Sequence, residues 1–129
     1  MTKLLVVDDE KNLRTLYQSE LREEGYDVVL AFDGQEALKM LDRENPDLEV
    51  LDIRMPGIDG LETMARMLSR DNRLPVILNS AYSAYRESFL SWSADAYVIK
   101  SSDLTELKAK IRQVLATRAE PGAGKRPNP

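Results

Sequence analysis

Two rhythms of apolar and polar residues alternate along the chain. The first is a set of short apolar runs: "KLLVV" from Lys3, "YDVVLA" from Tyr26, "PDLEVLD" from Pro46, "LPVILNS" from Leu74 and "DAYVIK" from Asp95. Runs of this length, bounded by polar or turn residues, read as strands. Their nearly unbroken apolar character marks strands covered on both faces. The second rhythm has helical spacing. Leu13, Leu16, Tyr17 and Leu21 share one face, and Gly25 is the stop. Asp33 with Glu36 predicts a capped helix that buries Ala37, Leu38 and Leu41. Asp59 with Glu62 predicts another, burying Leu61, Met64, Ala65 and Leu68. A short helix is expected from Ser83 to near Trp92, and Asp103 with Glu106 caps a last one lined by Leu104, Leu107, Ile111, Val114 and Leu115.

Five strands alternating with five helices predict an α/β fold: a doubly wound parallel sheet with helices on both faces and right-handed crossovers. The domain is expected over residues 1–118. Residues 119–129, "AEPGAGKRPNP", carry three prolines and two glycines and are expected to be a disordered tail or the start of a linker.

Composition narrows the chemistry. A chain of 129 residues fits one domain. No cysteine is present, which excludes disulfides and thiolate metal sites and makes a reducing, cytoplasmic setting the default. No histidine is present, so imidazole serves as neither base, ligand nor phosphate carrier. The net charge of −4 argues against direct nucleic-acid binding by this domain. No apolar run reaches the roughly 18 residues of a membrane span, and no signal peptide is read at the N-terminus.

In open parallel sheets, ligands sit at the carboxyl ends of the strands. Asp8 and Asp9 end the first strand here, Asp52 the third, Asn79 and Ser80 the fourth, and Lys100 the fifth. If the first strand lies between the second and third, the three acids meet in one crevice. Clustered carboxylates repel unless a cation joins them. Hard oxygen ligands suit Mg2+, and a lysine and a hydroxyl beside them suit a phosphoryl group. The set points to phosphoryl transfer with an aspartate as nucleophile. Taken singly, each residue has a plainer reading: Asp8 and Asp9 as helix caps, Asp52 and Ser80 as strand-end residues, Lys100 as a solvated lysine, Tyr97 as core.

"VVDDE", "LDIRMPGIDG", "VILNSAY" and "AYVIK", in this order and spacing, resemble the signature stretches of the receiver domains of bacterial two-component response regulators, similar to the chemotaxis type. The likeness runs from residue 3 to about residue 117. It implies a flavodoxin-like sheet of order 2-1-3-4-5. It also implies that Asp52 accepts a phosphoryl group from a partner histidine kinase or phosphotransfer protein. Asp9 matches the direct Mg2+ ligand, Asp8 its water-mediated neighbour, and the Arg54 backbone carbonyl the remaining protein ligand. Ser80 matches the switch hydroxyl, Lys100 its ion-pair partner, and Tyr97 the aromatic whose rotamer follows the switch. Many receivers pair through the fourth helix, fifth strand and fifth helix, so a dimer through that face is an expectation. The output partner or effector domain is not named by the sequence.

Arg54 lies two residues after Asp52, and Tyr82 two after Ser80. Both are expected to flank the line of water attack and to tune the lifetime of the phosphoryl group. Three residues depart from the family pattern. Ser93 replaces a common glycine. Glu49 stands where an apolar strand residue is usual and is expected either to reach solvent at the strand's lower edge or to need a partner. Ser101 stands where a proline usually follows the lysine. The family tends to hold that peptide cis, which costs about 2.5–4 kcal/mol without proline, so a strained or rearranged loop is expected.

Two other functions fit these residues less well. A haloacid-dehalogenase-like phosphohydrolase would carry its nucleophile and a second aspartate two residues apart after the first strand, and no such pair follows "KLLVV". A degenerate, binding-only receiver would lack some of the acids, the hydroxyl or the lysine, and all are here. The chain is expected to be no enzyme beyond its own phosphoryl transfer and slow self-hydrolysis.

Overall fold

Each apolar run pairs side by side with its neighbour, because only a parallel sheet covered on both faces buries all of them. The computed structural model describes residues 1–83 and 93–119. In chain order the elements are β1 (Lys3–Val7), α1 (Lys11–Glu23), β2 (Asp27–Ala31), α2 (Gly34–Glu44), β3 (Leu48–Leu51), α3 (Gly60–Arg70), β4 (Val76–Ser80), β5 (Ala96–Ile99) and α4 (Thr105–Ala119). The sheet has five strands, all parallel, in the order β2-β1-β3-β4-β5. This is the order the resemblance implied. Four α-helices occur among the described residues, against five expected. The missing one falls on residues 84–92, outside the described residues, as do residues 120–129 of the expected tail. No described helix is long and apolar enough to cross a membrane.

Strand alternation sorts the core into two layers. Leu5, Val7, Leu51, Val76 and Leu78 pack with α2 and α3. Leu4, Val6, Leu48, Val50, Ile77 and Val98 pack with α1 and α4. Helix starts follow the acids. Asp33 accepts a hydrogen bond from the Glu36 amide at 2.8 Å, and Asp59 from the Glu62 amide at 2.9 Å. Each such cap stabilises its helix by about 1 kcal/mol. The return bond of the first box goes from the Phe32 amide to Glu36 Oε1, one residue earlier than the usual pattern.

Two details of the helices differ from expectation. Asp103 accepts from the amide and hydroxyl of Thr105, not from Glu106, so the last helix starts on a tighter turn. In α3, Ala65 is exposed, while Thr63 and Met67 are buried beside Leu61, Met64 and Leu68. The buried stripe thus follows i, i+3, i+4, i+7 from Gly60, and Ala65 falls off its edge.

Glu49 reaches neither solvent nor a partner. It is 0% exposed, and both carboxylate oxygens lack a hydrogen bond. It shares the face of Leu51, in register with Leu5 and Val76, inside the α2–α3 layer. Burial there pushes its carboxyl from an ordinary 4.5 up to about 8. The unfolded chain therefore releases this proton before the folded one does. Stability is full below about pH 4.5, falls as pH rises to about 8 and then levels off. Glu49→Leu is expected to be the more stable protein at pH 8 and to lose most of that advantage at pH 5, in urea unfolding at both pH values. An equal difference at the two pH values would contradict a buried, neutral Glu49.

Candidate phosphoryl-acceptor site

Because β1 lies between β2 and β3, the acids that follow β1 and β3 project into one crevice. The backbone ladder continues past the strands to hold them. Asp8 N donates to Ala31 O at 3.1 Å, Asp52 N to Val7 O at 3.0 Å, and Lys100 N to Ser80 O at 2.8 Å. Carboxylate oxygens of Asp8, Asp9 and Asp52 all lie within 4.8 Å of one another. Asp8 and Asp52 are buried and Asp9 is exposed. The Lys100 ammonium sits between the buried pair, 2.7 Å from Asp8 Oδ2 and 3.0 Å from Asp52 Oδ2. The contact to Asp52 is a well-aligned hydrogen bond. The contact to Asp8 is the shorter ion pair, and it is the contact of Asp8 Oδ2 in the site.

The lysine reaches both acids although the Lys100–Ser101 peptide is trans: no cis peptide occurs among the described residues. Ser101 Oγ accepts from the Asp103 amide at 3.0 Å, which ties the turn locally. The departure from proline therefore leaves the reach of Lys100 intact.

Electrostatics match this packing. Burial pushes the Asp52 carboxyl up to about 6; Lys100 pulls it down and the charges of Asp8 and Asp9 add to the rise. For Lys100, burial works to lower the pKa, but the bonds and charges of Asp8 and Asp52 prevail and hold it above its ordinary value. The ammonium is thus fixed as a cation.

Around this centre, Ser80 is fully buried and its hydroxyl accepts from the Tyr82 amide at 3.1 Å. The Tyr97 hydroxyl donates to the Tyr82 carbonyl. Arg54 places its guanidinium 4.8 Å from the centroid of the Tyr82 ring, a cation–π distance. Tyr82, 46% exposed, thus connects Ser80, Tyr97 and Arg54.

Several supporting residues were not singled out from the sequence. Arg14, one turn into α1, donates to the Asp8 carbonyl at 2.7 Å. Asp8 Oδ1 accepts from the Glu10 amide at 2.9 Å, so this acid also caps the chain entering α1. Gly60 donates its amide to Ile53 O at 2.6 Å, and a Cβ there would lie 1.9 Å from the Asp52 carbonyl oxygen. Its need follows from a long loop folding back on itself. The only local hint was a glycine beside a cap, a common pattern.

A family model described as the response regulator receiver domain matches residues 4–112. The chain belongs to this family. It is 37% identical over 115 residues to the alkaline phosphatase synthesis transcriptional regulatory protein PhoP of Bacillus subtilis, covering 88% of this chain and 48% of that protein. The chain thus spans about half the length of the curated relatives it matches. Among solved structures it resembles the response regulator TrrA of Thermotoga maritima in complex with Mg2+ and BeF, with 47% identity and a TM-score of 0.86 over 88% of this chain and 99% of that one. It likewise resembles TrrA in complex with the histidine kinase ThkA, at 48% identity and a TM-score of 0.84, over 89% of this chain and 99% of that one.

The receiver's donor set fits a magnesium ion. Asp9 is exposed, and carboxylate oxygens of Asp8, Asp9 and Asp52 lie within 4.8 Å of one another, a hard-oxygen cluster that suits this ion. Gly60 underlies this set by letting the chain pass against the Asp52 carbonyl. Gly60→Ala is expected to lower stability by about 1–3 kcal/mol and to weaken Mg2+ binding, measured by urea unfolding and by calorimetric titration. Wild-type values in both would show that the loop tolerates a Cβ.

Proposed function

We propose that this receiver is a phosphorylation-dependent switch of a two-component system, with Asp52 as the phosphoacceptor. The observation that carries the reading is the Lys100 ammonium held between Asp8 and Asp52, with Asp9 beside them. A phosphorylated histidine of a partner kinase or phosphotransfer protein is the donor. A carboxylate oxygen of Asp52 attacks phosphorus and forms the new P–O bond. The P–N bond to the donor imidazole breaks, and its electron pair stays on that nitrogen. In self-hydrolysis, water attacks phosphorus, the P–O bond to Asp52 breaks, and carboxylate and inorganic phosphate are released.

Asp9, Asp52 and the Arg54 carbonyl would hold Mg2+, with Asp8 acting through water; when bound it neutralises charge on the transferring phosphoryl group. Lys100 is already placed to follow the new oxygens. The Ser80 hydroxyl, whose oxygen accepts from the Tyr82 amide, donates its proton to the phosphoryl group. A shift of Ser80 toward that group carries the Tyr82 segment, to which the Tyr97 hydroxyl is also tied. The phosphoryl group adds roughly −1.5 to −2 of charge. Taking a two-state domain from nearly all off to nearly all on needs about 5.5 kcal/mol of differential interaction. The phosphoryl group contributes to it through the charge it adds beside the Lys100 ammonium.

The output lies in a partner or in an effector domain joined through the segment from residue 119 on, and the domain proper is residues 1–118. The lack of cysteine and a kinase donor fit a cytoplasmic setting. Pairing is through the fourth helix, fifth strand and fifth helix of the sequence reading; the last two are β5 and α4, and the first lies outside the described residues.

Acetyl phosphate is expected to add one phosphoryl group per chain, read by intact mass. The adduct should vanish with EDTA and in Asp52→Asn. A full adduct in Asp52→Asn would contradict the assignment. Tyr82 and Arg54 together screen the path of attacking water, so Tyr82→Ala is expected to speed loss of the adduct several-fold. An unchanged or slower decay would remove that role.

A further inference from the structure

Two buried polar side chains take no part in the chemistry above. Tyr17 of α1 is 1% exposed, and Asn79 of β4 is 3% exposed. Asn79 Nδ2 donates to the Tyr17 hydroxyl at 2.9 Å and so ties the end of β4 to α1. Tyr17 belongs to the apolar layer under α1 and α4. Asn79 immediately precedes Ser80; it pairs with Val98 while Ser80 pairs with Ile99. The Tyr17 hydroxyl is raised above its ordinary value chiefly by burial, against the pull of Asn79, and the charges of Lys100, Asp8 and Asp52 reach it. An apolar pair of the same volume would pack here with little loss of stability. The bond therefore fixes position, with the modest net worth of one ordinary hydrogen bond.

A cavity of about 350 Å³ opens beside Asn79, lined also by Val98, Ser101, Leu104 and Leu107. Asn79 thus has a bonded partner on α1 and open room toward the β5–α4 turn. Hydrogen bonds hold over only a few tenths of an ångström. Ser80 and Asn79 are consecutive on β4, so a backbone shift that carries Ser80 toward a phosphoryl group on Asp52 by more than that pulls Asn79 off Tyr17.

We propose that the Asn79–Tyr17 hydrogen bond is a latch that holds the carboxyl end of β4, and with it Ser80, in the resting position, and that Asn79 swings into the adjoining cavity when the acceptor is occupied. Tyr17 and Asn79 are positioning residues, acting through Ser80. The inference rests on the acceptor reading of Asp52.

The test is calorimetric titration of the full chain with fluoroberyllate at saturating Mg2+, a phosphoryl mimic that needs no donor. Because the latch opposes the occupied state, Tyr17→Phe is expected to bind fluoroberyllate about fivefold tighter than wild type, the equivalent of one ordinary hydrogen bond. Its melting temperature should be equal or lower. Simple damage to the site would weaken binding, so the sign separates a latch from a structural support. Asn79→Val should show the same gain, and the double variant no more than either single one. If one variant fails to fold, the other decides. Wild-type or weaker affinity in the folded variants overturns the latch and leaves the acceptor reading standing. A wild-type chain that binds no fluoroberyllate overturns the acceptor reading and the latch with it.

Discussion

The ammonium of Lys100 is the interaction on which the rest of the site depends. Two carboxylates, Asp8 and Asp52, are buried at the same sheet edge, and neither is sustainable there as an isolated charge. β5 is two strands away from β3, so the lysine must cross the end of β4 to reach them. Its long stem does this, and its head arrives 2.7 and 3.0 Å from the two acids. Ser80 lies at the strand end that the lysine crosses. The cation, the hydroxyl and the acceptor are thus brought together by sheet order rather than by neighbouring positions in the chain.

The charge balance at this edge is deliberately incomplete. Three carboxylates face one ammonium, which leaves an excess of negative charge for a divalent cation to meet. Asp52 is held by burial at a raised pKa, whereas Lys100 is held charged. A phosphoryl group on Asp52 would place more negative charge against the same ammonium and would offer an acceptor to the Ser80 hydroxyl, whose oxygen accepts from the Tyr82 amide. Tyr82 also meets Tyr97 and Arg54, so a change at the acceptor has a short physical path to the exposed surface.

Much of this was legible from local pattern. The apolar runs, the Asp33 and Asp59 caps and the acids, serine and lysine at strand ends are all local signals, and each is placed as expected. What escaped was set by residues distant in the chain. Tyr17 read as one more apolar position of α1, because nothing near it announces Asn79, 62 residues away. Gly60 is one of two glycines after Asp52, and nothing local singles it out, because its necessity comes from the close pass of the Asp52 carbonyl. Glu49 looked like an edge residue, yet the sheet closes over it and leaves a carboxyl inside the core. Ala65 matched a generous apolar stripe that the true helix packing narrows.

The most direct measurement of the central claim is chemical mapping of the acceptor. Borohydride reduces an acyl phosphate at an aspartate to homoserine, and peptide mass spectrometry then finds the altered position. After phosphorylation with acetyl phosphate and Mg2+, homoserine is expected at residue 52 alone. Conversion at Asp8 or Asp9, or at no aspartate of a chain that has gained phosphate, would contradict it.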